Sequence, residues 1–341
     1  MSQLRFCLIG TGRAGLVHAW NLGARIKRGE LVALCDANPE ALTNAARELN
    51  VTRLYNDYRQ AVRDPEVDAV IIVTPTFLHC EIASEAARNN KHIFLEKPMA
   101  ITVKECRTIM DAVNQNGVKL QIGFMRRFDE GFLQAKEKLE SGQLGSITTI
   151  KSTGRGPGLP PSWSHDISKS NGLLAEVNSH DFDSVRWLVG ADLKRVYAEA
   201  DNYKCADLQN QYPDFYDNVL VNLRFKNGVI GSIDGACPCG YGYDARTEIL
   251  CTGGVIMIGS IENDGVSTVT IDGGVIRNAH RSWRNRFKDA YLAELEHFID
   301  CVLNDRTPRV TGLDGLQAVN AVVAANQSIR LGQPVVLPDV Q

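Results

Sequence analysis

The first third of the chain alternates between two kinds of apolar patterning. Residues 4–9 (LRFCLI), 31–35 (LVALC), 67–73 (VDAVIIV), 92–95 (HIFL) and 119–122 (KLQI) are short, nearly continuous apolar runs. Runs this brief predict strands buried on both faces of a sheet. Between them, from about Ala14 and over 39–49 (PEALTNAAREL), 80–89 and 102–115, the pattern is helical, and Pro39 stands where a first turn tolerates it. Strict alternation of strand and helix predicts right-handed crossovers and one parallel sheet covered on both sides. We assign residues 1–123 to this α/β domain.

After Gly123 the patterning changes. A helix over 131–139 leads to a strand at 146–152, a Gly/Pro-rich loop (TGRGPGLPPSW) and a helix over 173–188. Segments 219–225, 229–236, 247–251 and 255–258 then alternate as half-buried strands do, with turn signals KNG, TGG and DGG nearby. Helices over 291–303 and 315–329 close the chain. Residues 124–341 therefore read as an α+β domain with a largely antiparallel sheet and its helices on one side.

Composition narrows the function classes. A chain of 341 residues with 44% hydrophobic and 23% charged residues suits two globular domains. Its net charge of -3, without a block of Lys or Arg, offers nothing to nucleic acid or to an anionic membrane. The first residues (MSQLRFCLIGTGRAG) lack the layout of a signal peptide, and no apolar stretch approaches the roughly 20 residues that span a bilayer. Nine scattered cysteines, an odd number, read as reduced thiols, so a cytoplasmic protein is expected. Cys237 and Cys239 are separated by one residue and no cluster completes them, so no metal is expected.

Gly10-Thr11-Gly12-Arg13-Ala14-Gly15 fits G-x-G-x-x-G between a predicted strand and a predicted helix. In that setting the first glycine makes the tight turn, the second admits a pyrophosphate to the backbone, and the third lets helix pack on strand. Asp36, 21 residues beyond Gly15, ends the second strand, where a carboxylate accepts hydrogen bonds from an adenosine ribose and repels a 2'-phosphate. The expected cofactor is NAD. A glycine-rich turn beside a helix-capping Asp is the simpler alternative.

Thr74-Pro75-Thr76 and Glu96-Lys97-Pro98 end later strands on the carboxyl edge, where open α/β sheets bind ligands. Thr74 to Thr76 fits a cofactor contact or an ordinary turn. Lys97 is a functional candidate, with Pro98 setting a special backbone geometry, a cis bond among the options. In GLLAEVNSHDFDSVRWL, Glu176 and His180 are four apart on the predicted helix and so share a face, with Asp183 on a neighbouring part of it. His180 suits a general base, or a structural histidine.

Taken together, G-x-G-x-x-G, Asp36, EKP at 96–98, GFMRRFD at 123–129, the Glu176/His180 segment and YGYDARTE at 241–248 resemble the Gfo/Idh/MocA oxidoreductases, especially the inositol dehydrogenases. The resemblance implies a Rossmann domain and a C-terminal α/β domain with a large open sheet that binds substrate and builds a homotetramer. It implies a catalytic group of Lys97, Glu176 and His180, and cofactor contacts from Gly10 to Gly15, Asp36, Thr74, Pro75, Thr76, His79, Glu96 and Lys97. Arg126, Arg127, Arg155, Trp163, Asn178, Tyr241 and Tyr243 become candidates for lining a polyol pocket, Arg127 and Tyr243 fitting a structural role equally well. Three residues at two places depart from the inositol dehydrogenase pattern: Glu176 stands where an Asp is usual, and Gly154-Arg155-Gly156 where His-Arg-Asn is usual. NAD-dependent oxidation of a secondary hydroxyl on a cyclitol, sugar or anhydrosugar is the expected activity, and the departures point from inositol towards a pyranose or anhydro-pyranose ring. An NAD-binding regulatory protein on the same fold is the alternative from another class.

Overall fold

The computed structural model describes residues 3–340. Its first unit takes the described residues up to Phe128 together with Asp289–Val319, and its second takes Asp129–Lys288 with the residues from Asn320 on. In the first unit strands β1 (Leu4–Ile9), β2 (Gly29–Cys35), β3 (Arg53–Tyr55), β4 (Ala69–Ile72), β5 (His92–Leu95) and β6 (Leu120–Ile122) alternate with helices α1 (Arg13–Ala24), α2 (Pro39–Leu49), α3 (Tyr58–Arg63), α4 (His79–Arg88) and α5 (Val103–Asn116). The strands form one sheet in the order β3-β2-β1-β4-β5-β6, every neighbour parallel. This is the Rossmann order, whose switch point lies between β1 and β4.

The second unit runs α6 (Glu130–Glu140), β7 (Ile147–Arg155), α7 (Ile167–Ser170), α8 (Gly172–Glu176), α9 (Ser179–Val189), β8 (Leu193–Asp201), α10 (Ala206–Gln209), β9 (Asn218–Phe225), β10 (Ile230–Ala236), β11 (Asp244–Cys251), β12 (Gly254–Ile258), a hairpin of β13 (Glu262–Val269) and β14 (Val275–Ala279), and α11 (Trp283–Arg286). Then come α12 (Lys288–Leu303), α13 (Gly312–Leu331) and β15 (Val335–Val336). The large sheet, β12-β11-β7-β10-β9-β8-β15, is mixed: β7 and β10 run parallel and the other pairs antiparallel.

The first compact unit runs past residue 123 to Phe128. Residues Met125–Phe128 form a buried turn of 3-10 helix within the first unit, and most of α12 returns to that unit. There Leu295, Phe298 and Ile299 join Phe6, Leu22 and Phe94 in one core, Phe298 packing 6.3 Å from the Phe6 ring and 5.8 Å from that of Phe94. The single helix expected over 173–188 is also two helices. Asn178 caps α9, and its side chain turns to the Gly154 carbonyl and to Asp181, the local bonding by which Asn competes with helix continuity. Glu176 therefore closes one helix and His180 lies in the first turn of the next, so the shared-face argument does not apply. Among the described residues no helix is long and apolar enough to cross a membrane.

Candidate active site

In the first unit the chain turns at Gly10 with φ +100, and a Cβ there would lie 2.4 Å from the Val73 carbonyl oxygen. A Cβ on Gly15 would lie 2.1 Å from the Gly10 carbonyl oxygen. Both positions demand glycine. Gly12 differs, because a Cβ there meets nothing within 4 Å and the residue is exposed. The space is kept clear for something outside the fold. Gly12 caps α1 without a side-chain hydrogen bond, and the first turn of the helix holds no acidic residue, an arrangement that welcomes an anion. These residues fit the pyrophosphate of a dinucleotide.

Asp36 follows β2. One carboxylate oxygen accepts from the Thr11 N–H and hydroxyl, both at 2.8 Å, and the other from the Asn38 N–H at 2.8 Å. The glycine turn and the end of β2 are thereby tied together, and each oxygen keeps room for a further donor. Thr74, beyond β4, has a buried hydroxyl with no partner, which suits a contact to a bound group. Thr76 opens a 3-10 turn and is buried. His79 is buried with both ring nitrogens against backbone carbonyls, 2.8 Å from that of Pro98 and 2.9 Å from that of Thr74. Burial holds its pKa below the ordinary imidazole range, against the pull of those carbonyls. In this placement His79 ties two loops together.

Lys97 follows β5, is half-buried, and precedes a cis bond to Pro98. Its neighbour Glu96 is buried, accepting from the Lys97 N–H at 3.1 Å and lying 2.8 Å from the His18 ring. Arg126 and Arg127 are buried, and Arg127 pairs with Asp314 at 2.9 Å. That engagement favours a structural role for Arg127.

In the second unit His180 is buried and Glu176 half-buried. Beside them Asp181 accepts from the Ser152 hydroxyl at 2.7 Å and from the Asn178 amide at 2.9 Å, pinning the start of α9 to β7. Sequence reasoning missed Asp181 and Ser152. Their signal was weak, since Ser152 is one small polar residue on a strand. Asn178 is fully buried; its amide nitrogen serves this packing while its Oδ1 has no partner.

Gly154 has the same cause. A Cβ on Gly154 would lie 2.0 Å from Asp181 Oδ2, and one on Gly235 2.1 Å from Asn178 Oδ1. Arg155 lies on the opposite face of β7, paired with Asp234 and 3.4 Å from the Tyr241 hydroxyl. Tyr241 donates to Asp244 at 2.7 Å, while Tyr243 is buried edge-on to Phe287. Trp163 is half-buried in a 3-10 turn.

Comparison with known proteins adds ancestry. Residues 4–124 match the family model described as the NAD-binding Rossmann fold of the Gfo/Idh/MocA oxidoreductases, and residues 136–337 match that of their C-terminal alpha/beta domain. The chain is 34% identical to a scyllo-inositol 2-dehydrogenase (NAD(+)) of Bacillus subtilis, covering 98% of this chain and 96% of the relative. It is 32% identical to a myo-inositol 2-dehydrogenase of Thermotoga maritima, covering 99% of each. A crystal structure of scyllo-inositol dehydrogenase from Lactobacillus casei with bound NAD(H) and scyllo-inositol superposes with a TM-score of 0.90 at 26% identity, covering 98% of this chain and 99% of that one.

Proposed function

Since the chain belongs to the Gfo/Idh/MocA oxidoreductase family, we propose that it oxidises a secondary ring hydroxyl of a cyclitol to a ketone, with NAD accepting the hydride. The observation that carries this reading is end-to-end similarity to inositol dehydrogenases, in a chain whose glycine turn and Asp36 fit a dinucleotide. His180 accepts the hydroxyl proton, Lys97 stabilises the developing alkoxide, and Glu176 orients His180 or holds a neighbouring hydroxyl. His180 follows a helix start that Asp181 fixes in place. A base so held loses little freedom on substrate binding.

The glycine at 154 is explained by packing against Asp181, which removes it as an argument against inositol. Gly156 and the longer Glu176 remain, and they favour the second reading, a pyranose or anhydro-pyranose ring, because a missing side chain and one added methylene each shift where a hydroxyl can rest. Steady-state kinetics with NAD on scyllo-inositol, myo-inositol, glucose, xylose and a 1,6-anhydrosugar decide between them. An inositol is expected to give the highest kcat/KM, and a clear preference for a pyranose would overturn the cyclitol assignment.

The same proposal includes a homotetramer in the cytoplasm. Leu220, Ile230, Leu250, Val255 and Met257 are exposed on strands of the large sheet, among charged residues such as Lys151 and Glu248, on a face that a second copy would cover. Nine unpaired cysteines suit a reducing compartment.

A further inference from the structure

Behind the Glu96-Lys97-Pro98 segment three titratable side chains meet inside the first unit. His18 from α1, Glu96 just after β5 and Glu294 from α12 are all buried, and each offers an atom within 4.8 Å of the others. Tyr291 on α12 packs its ring edge-on against His18, 5.6 Å between centroids, and Gln121 of β6 donates at 2.8 Å to the Glu294 backbone carbonyl.

The two carboxyls have unlike surroundings. Glu96 has a hydrogen-bonding partner at each oxygen, the His18 ring nitrogen at 2.8 Å and the Lys97 N–H at 3.1 Å. Glu294 is fully buried and neither of its oxygens has a partner. A carboxylate sealed without donors is among the costliest groups a fold can hold, and a neutral acid is not. We propose that Glu294 is held as a neutral carboxylic acid beside His18 and Glu96, so that Glu96 faces no second buried charge and keeps its bonds to His18 and the Lys97 N–H, and with them the place of the segment that carries Lys97. Glu294 is thus a positioning residue for the proposed reaction, and this half of the inference rests on Lys97 belonging to the catalytic group. Burial, and secondarily the charge of Glu96, raise the pKa of Glu294 well above the ordinary carboxyl range. That shift supports an assignment already given by the partner inventory. A bound cation is the competing way to neutralise the cluster; His18 Nε2 is already against Glu96, while its Nδ1 has no partner.

Difference infrared spectroscopy of wild type against Glu294→Gln at pH 8 tests the protonation state directly. A carbonyl band of a protonated carboxyl, present in wild type and missing in the variant, is expected, and its absence from wild type overturns the proposal. Elemental analysis after incubation with Zn(II) or Mn(II) also overturns it if wild type retains one equivalent that Glu294→Gln loses. The folded pKa is raised, so the contribution of Glu294 to stability is fully present below the unfolded value of about 4.3 and is lost as pH rises towards the folded one. Glu294→Gln should therefore show a Tm that falls less steeply from pH 6 to pH 9 than wild type does.

For the positioning role, Glu294→Ala is expected to lower kcat about tenfold with NAD affinity within twofold, and Glu294→Gln to stay within threefold of wild type. Unchanged kcat in Glu294→Ala, with Lys97→Ala inactive, overturns positioning. Near-normal turnover in Lys97→Ala instead overturns the catalytic reading, which the infrared result does not depend on.

Discussion

Two side chains carry the chemistry most legible in the sequence. Asp36 was readable because its spacing from the glycine turn is set by one helix and one strand, and the structure adds that its carboxylate also holds Thr11 and Asn38. Asp36→Ala should raise the KM for NAD and reduce the preference for NAD over NADP at least tenfold, measured as the ratio of kcat/KM values. An unchanged ratio would place cofactor choice elsewhere. His180 was readable as a chemical type but not in its setting, because the break at Asn178 depends on an Asn amide finding a carbonyl on a distant strand. His180→Ala is expected to lose about 10²–10⁴-fold in kcat/KM near neutral pH, with a smaller loss above pH 9, where hydroxide replaces the base. A variant that keeps the wild-type pH profile and rate would return His180 to a structural role. Glu294 left a fainter trace: a carboxyl on the same helical stripe as Tyr291, Leu295 and Phe298, a polar residue where an apolar one belongs.

Among whole elements, segments with a clear local pattern were readable and those without one were not. Strand β5 and helix α2 occupy the residues expected, since an apolar run stopped by turn residues, or a Pro-started amphipathic stretch, admits few alternatives. Strand β3 is three residues long, α3 six, and at that length pairing partners decide the conformation. Strand β8 carries Lys194 and Arg195 in its first turn of alternation, which hides the strand pattern until β9 pairs with it. Helix α12 was readable as a helix, but its membership in the first unit was not, because nothing local records which core a stripe will meet. Phe298→Ala should destabilise the first unit by about 3–5 kcal/mol, the range for emptying a buried aromatic site. Chemical denaturation followed by NAD-site fluorescence checks this, and a loss under 1 kcal/mol would show that α12 is dispensable to that core.

For the molecule as a whole, the exposed face of the large sheet makes the proposed assembly testable. Leu220→Glu combined with Met257→Glu places charge where 58% and 75% of those side chains are exposed, so the fold should survive and the proposed tetramer should not. Sedimentation velocity is expected to show a smaller species, and an unchanged tetramer would assign the interface to another surface. The return of α12 to the first unit has a consequence for synthesis. When residue 128 leaves the ribosome, Phe6, Leu22 and Phe94 have no Leu295 or Phe298 to cover them, and translation at about 5–20 residues per second leaves that nascent sheet open for roughly 10–35 s. The chain is therefore made with its earliest domain unfinished, and that interval is when a ribosome-bound chaperone has most to shield.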